Sequence, residues 1–126
     1  MIAVDTSSFI AYLQGEEAKD VKWIEEALLS HSLVFPPTVL SELLSDFSLP
    51  RKLIENMIKL PLLSLQPNFW YRVGMTRSQL LAKKLKTRLA DALIAQSCID
   101  HDVPLITRDS DFRHFEKYAG LILFEE

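Results

Sequence analysis

Short apolar runs alternating with segments of helical period constrain this chain more than any other feature of its sequence. Ile2–Val4 ends at Asp5, Leu33–Phe35 ends at Pro36-Pro37, Val103–Ile106 ends at Thr107-Arg108-Asp109, and Leu121–Phe124 follows Gly120. Such runs are too short to show the in–out alternation of a half-exposed strand, so they read as strands buried on both faces. Between them, Phe9, Ile10 and Leu13, then Val21, Ile24 and Leu28, then Val39, Leu40, Leu43, Leu44 and Phe47, then Leu53, Ile54, Met57 and Ile58 recur at helical spacing. Strand–helix alternation of this kind predicts an α/β fold, a single three-layer α/β/α domain over 1–126 with a central, mostly parallel sheet. Pro61 and its short length make Leu62–Leu65 a weak edge strand. Further helices are expected at Glu16 to Ser30, at Asn68 to Leu85 with Trp70, Leu81 and Leu85 on the buried side, at Ala90 to Asp102, and at Phe112 to Tyr118.

With 126 residues, 48% of them hydrophobic, the chain can bury a core without staples. Cys98 is the only cysteine, which excludes an internal disulfide and suits a reducing compartment. No basic leader precedes the first apolar residues and no apolar run reaches the length of a membrane span, so a cytoplasmic protein without a membrane partner is expected. A net charge of −3 argues against coating nucleic acid by bulk charge. The distribution says more. No acid lies between Glu55 and Asp91, while Lys59, Arg72, Arg77, Lys83, Lys84, Lys86 and Arg88 all fall inside that window. The helix from Asn68 to Leu85, extended to Lys86, therefore supplies an expected basic face carrying Arg72, Lys83 and Lys86.

The acids fall at strand ends and on a buried stripe. Asp5 closes the first strand and Asp109 follows the fourth, so neighbouring strands would bring the two together at the sheet edge where ligands of open α/β sheets bind. Asp91 shares a helical stripe with Ala92, Ala95, Cys98 and Ile99, where a carboxylate is costly unless paired, hydrogen-bonded or metal-bound. Asp5-Thr-Ser also suits a helix cap, Glu42 and Asp46 taken alone read as solvated acids, and Asp111 fits a cap or an outer, water-mediated ligand. Converging carboxylates repel and raise one another's pKa, which a cation relieves. An all-oxygen set without histidine or cysteine points to Mg²⁺ or Mn²⁺.

Asp5-Thr-Ser, Glu42, the run Arg88-Leu-Ala-Asp91-Ala-Leu-Ile-Ala and the run Leu105-Ile-Thr-Arg-Asp109-Ser-Asp-Phe, in this order, resemble the PIN-domain nucleases, and most of all the VapC-type ribonuclease toxins of toxin–antitoxin pairs. The resemblance implies strand order 3-2-1-4-5 and metal-dependent cleavage of RNA by an acidic quartet of Asp5, Glu42, Asp91 and Asp109. Asp5, Asp91 and Asp109 would hold the metal, and Ser7, Thr107 and Asp111 would orient it from outside. Arg72, Lys83, Lys86, Arg88 and Arg108 are the candidate RNA-backbone contacts, with Arg113 flanking the site. A homodimer and a cognate antitoxin are the implied protein partners. Phe69, Trp70 and Tyr71 could serve such a surface, although core packing is the expected use of Trp70. Two rivals remain. A Mg-dependent phosphohydrolase of the haloacid-dehalogenase kind needs a second aspartate two residues after Asp5, where Ser7 stands. A PIN-fold module that binds RNA or protein without cutting has no need of a complete acidic set.

Overall fold

The computed structural model describes residues 1–125; Glu126, the last residue of the expected domain, lies outside the described residues. Strand β1 (Ile2–Val4) runs into helix α1 (Thr6–Leu13), followed by α2 (Lys19–Leu29), β2 (Leu33–Val34), α3 (Pro37–Leu44), α4 (Arg51–Met57), α5 (Phe69–Ala82), α6 (Leu89–His101), β3 (Leu105–Ile106), a 3₁₀ turn at Ser110–Phe112 and α7 (Arg113–Ala119). All pairings are parallel, in the order β2-β1-β3, with Ile2 opposite Leu33 and Val4 opposite Ile106. Helices flank this sheet.

The five-strand order is met only at its centre. The outer strands expected at 62–65 and 121–124 shrink to single parallel bridges, Phe35 to Leu62 and Leu105 to Leu123. Leu63 and Phe124 each donate one backbone hydrogen bond to the sheet, at 2.9 Å. Proline at 61 and the sheet-edge position leave little ladder to extend.

Ala3, Val4, Val34, Phe35, Leu105 and Ile106 are almost fully buried, as both-face burial of the strands requires. Phe9 of α1 meets Phe35 edge-on with ring centroids 5.0 Å apart. Helix α6 is enclosed widely, with Ala92 and every residue from Ile94 to Cys98 buried. It packs against α3 and α5, which explains its small side chains.

Three sequence expectations change. The second helix begins at Lys19, leaving Glu16 and Glu17 ahead of it. Helix α3 stops at Leu44, because Ser45 bonds back to the Ser41 carbonyl (2.8 Å) and the Asp46 carboxylate accepts the Ser48 N–H (2.9 Å), so Phe47 projects fully into solvent. In α5 the core stripe is Phe69, Val73 and Leu80, which fall within about 40° of one another at 3.6 residues per turn. Trp70 lies on the neighbouring stripe, 68% exposed, and packs edge-on against Phe69. One aromatic step along the helix decided which ring entered the core.

Candidate active site

Parallel pairing of β1 with β3 brings their C-terminal ends together, and the site is built there. Asp5 is buried at the end of β1 and caps α1, accepting the Thr6 N–H at 2.8 Å. Its other oxygen accepts from the Ser7 hydroxyl at 3.0 Å and from the Thr107 hydroxyl, beyond β3, at 2.9 Å. Thr107 in turn accepts the Asp109 N–H at 3.0 Å. One threonine thus ties two candidate acids. Burial pushes the Asp5 carboxyl above its ordinary pKa, the three hydrogen bonds hold it down, and the charge on Asp109 adds to the rise.

Asp91 lies in the first turn of α6, facing Asp109 and Asp111 in the loop after β3. One carboxylate oxygen from each of the three lies within 4.8 Å of the others. Burial, with charge from Asp109, Asp5 and Asp111, raises the pKa of Asp91 to about 6 against the pull of Arg88. Such crowding, oxygen donors only and partial burial fit a hard divalent cation. Asp5 borders this trio: the charge on Asp109 raises it, and its own charge adds to the rise at Asp91.

The roles of the two loop aspartates are not those expected from sequence. Asp109, not Asp111, is the cap, accepting the Asp111 N–H at 2.9 Å at the start of the 3₁₀ turn. That turn places the Asp111 carboxylate beside Asp91 and Asp109.

Glu42 is exposed on α3 and held by the Thr6 hydroxyl at 2.6 Å. Thr6 was missed from sequence; its only signal was a hydroxyl next to Asp5 at a helix start. A cleft of about 370 Å³ lined by Ile10, Leu13, Leu43, Leu49 and Leu53 opens beside Glu42 and Asp46. A larger cleft of about 670 Å³ near Lys22 and Trp23 contains none of the four acids.

The PIN domain family matches residues 2–118. The chain belongs to the PIN-domain family. Among solved structures, a chain of the VapBC2 assembly from Rickettsia felis bound to a DNA fragment from their promoter is similar in fold. It is 22% identical with a TM-score of 0.70, and the match covers 98% of each chain. No curated protein matches significantly.

The candidate RNA contacts of this PIN domain do not form one face. Arg88 reaches over the cluster, 3.6 Å from Asp91, 3.6 Å from Asp109 and 3.7 Å from Asp111, and Lys86 lies 3.8 Å from Asp111. Lys83 sits over the Tyr118 ring, 4.8 Å from its centroid. Arg77 is tied to the Thr87 carbonyl at 2.8 Å. Arg72 is at the far end of α5, forked onto Asp100 and bonded to the Pro67 carbonyl. Arg108 turns away from the cluster toward α2. Arg113 pairs with Glu116 at 3.2 Å. Only Lys86 and Arg88 of the five candidates stand against the acids, because each of the other three has a nearer partner.

Proposed function

We propose that this PIN domain, acting as one unit over residues 1–126, is a metal-dependent endoribonuclease and the toxin member of a toxin–antitoxin pair. The observation that carries the reading is the convergence of Asp91, Asp109 and Asp111 within 4.8 Å beside the buried Asp5. Those four carboxylates would hold Mg²⁺ or Mn²⁺. When bound, the metal supplies Lewis-acid stabilisation of phosphate charge and a water of lowered pKa.

The chain's own residues do the rest. Ser7 and Thr107 hold Asp5, and Thr107 also sets the backbone of Asp109, so both acids would meet a bound metal with fixed orientation. Glu42, steadied by Thr6, positions the attacking water from the α3 side. In-line attack by the water would form one P–O bond as the ester P–O bond on the opposite side of phosphorus breaks, the water giving up a proton to solvent and the departing oxygen taking one from solvent. Lys86 and Arg88 at the rim hold the RNA backbone by charge. The fold shared with a VapBC2 chain and the apolar cleft opening beside Glu42 support an antitoxin partner. Exposed Trp70 and Tyr71 support a homodimer surface. The lone buried Cys98 suits the cytoplasm. Among the described residues, no helix is long and apolar enough to cross a membrane.

The test is cleavage of a broad panel of single-stranded and structured RNAs by purified protein with Mg²⁺ or Mn²⁺, beside Asp5→Asn and Asp91→Asn. Metal-dependent cutting lost in both folded variants is the expected result. Intact RNA that is nonetheless bound would turn the reading to a non-catalytic module. Release of phosphate from small phosphoesters without RNA cleavage would turn it to a phosphohydrolase.

A further inference from the structure

Arg108 sits between Thr107 and Asp109, both of which belong to the acidic site, yet its own side chain points elsewhere. Nε donates to Asp20 Oδ2 at 2.8 Å, Nη2 to Asp20 Oδ1 at 3.0 Å, and Nη1 to Glu16 Oε1 at 3.1 Å. All three guanidinium nitrogens are engaged, two of them in a planar fork on one carboxylate. Asp20 is buried in the first turn of α2, where it also accepts the Val21 N–H at 3.0 Å. The Ser8 hydroxyl, fully buried on α1, adjoins the same carboxylate without a hydrogen bond of normal geometry. Arg108 first, and then the Val21 N–H, hold Asp20 below the usual carboxylate range against its burial.

The loop after β3 is thereby pinned from two sides. Thr107 fastens it to Asp5 on the inside, and Arg108 fastens it to α2 on the outside. Helix α2 contributes no candidate acid to the cluster, and this fork is its tie to the loop that carries two of them. An arginine shared by two carboxylates has no free donor fork and little residual charge to offer a phosphate.

We propose that Arg108 is a positioning residue, with Asp20 as its anchor: the pair fixes the backbone of the Thr107–Asp111 loop so that Asp109 and Asp111 meet Asp91 at metal-binding distance. The proposal rests on the nuclease reading of the acidic site. Errors of about an ångström in such placements cost on the order of 10²-fold in rate, and loss of an outer partner typically costs about 10- to 100-fold in metal affinity.

The experiment compares the full-length wild type with Arg108→Ala, Arg108→Lys and Asp20→Asn. It reads Mn²⁺ affinity by calorimetry, amide hydrogen exchange of the metal-free protein, and kcat and KM on RNA. Arg108→Ala and Asp20→Asn should weaken Mn²⁺ binding by about tenfold or more. Exchange should quicken at 107–111 before the sheet is affected, and the fall should be in kcat with KM nearly constant. Arg108→Lys keeps the charge without the fork and should recover only part of the loss, while the double variant should be little worse than either single one. If Arg108→Ala does not fold, Arg108→Lys and Asp20→Asn carry the test. Unchanged Mn²⁺ affinity and loop exchange in folded variants, or a rise confined to KM that high salt removes, would overturn the positioning role and leave the nuclease reading standing. A wild type that binds no Mn²⁺ and cuts no RNA would overturn both.

Discussion

The two ends of helix α6 show the same chemistry arranged in opposite ways. At its C-terminal end Asp100 receives a fork from Arg72 and a further bond from Gln96 at 3.0 Å, and Gln96 is itself held by Thr76. Burial pushes Asp100 up, but these bonds outweigh it and hold the carboxyl below its usual range. At the N-terminal end Arg88 faces three aspartates at 3.6–3.7 Å, spread too thinly to make a hydrogen bond with any of them. Burial, joined by the charges of Asp109, Asp5 and Asp111, outweighs the pull of Arg88 and raises Asp91 to about 6. A carboxylate with its lone pairs filled by one arginine is a structural tie. Carboxylates that must share one arginine keep lone pairs for another cation, and the fold accepts their repulsion to keep them so.

The sharpest way to break this contrast is to neutralise one acid at each end. Asp91→Asn should lower metal-dependent RNA cleavage by about 10³-fold or more, since the metal's charge stabilisation is worth several kcal/mol and each factor of ten about 1.4. The melting temperature of the metal-free protein should hold or rise, because repulsion is relieved. Asp100→Ala should do the reverse, lowering the melting temperature by roughly 5 °C while the folded fraction keeps its activity. A large stability loss in Asp91→Asn, measured by thermal unfolding without metal, would erase the distinction.

The pH dependence should also differ in sign. Asp91 has a folded pKa above its unfolded value, so the folded state binds more protons between about pH 4 and 6. Its contribution to metal-free stability therefore falls as pH rises through that window. Asp20 and Asp100 are lowered, so their contributions are full above the ordinary carboxylate pKa and are lost on acidification below it. Millimolar Mn²⁺ should raise the melting temperature at pH 7.5, with a shift that shrinks below about pH 6 as protons compete for Asp91. A metal-induced shift independent of pH between 5 and 8 would count against Asp91 as a ligand.

The smallest expected effect belongs to Arg88, whose side chain is 60% exposed. In an Asp91→Asn background, Arg88→Ala should weaken RNA binding about two- to threefold at low salt, and the difference should vanish near 0.3 M salt. Filter binding at two ionic strengths checks this.

Much of the scaffold was legible locally. Ile2–Val4 followed by Asp5-Thr-Ser is a strand with a capped helix, and the structure shows both. Asp91 on an apolar stripe was recognisable as an anomaly because the helix around it is small and buried. The edge strands were overread, since apolar runs of four residues do not reveal whether a neighbour exists to pair with. The face of α5 was misread because Phe69 and Trp70 are adjacent and periodicity over one helix admits either stripe. The cap of the turn is Asp109 and not Asp111, because the sequence does not say which of two aspartates two residues apart accepts the backbone N–H.

By itself, the sequence determined the alternation of elements, the strand ends at which acids could gather, and the residue types able to bind a hard cation. Those are consequences of hydrophobic period, capping and donor chemistry, all acting over a few neighbouring residues. Only the tertiary structure decided which charges remain available. Arg72 meets Asp100 across 28 positions and Arg108 meets Asp20 across 88, while Arg88 lies three residues from Asp91 and is left shared. Whether an arginine binds substrate or braces a loop depends on which carboxylate packing brings within 3 Å, and side-chain pairing at that distance is set by the assembled fold.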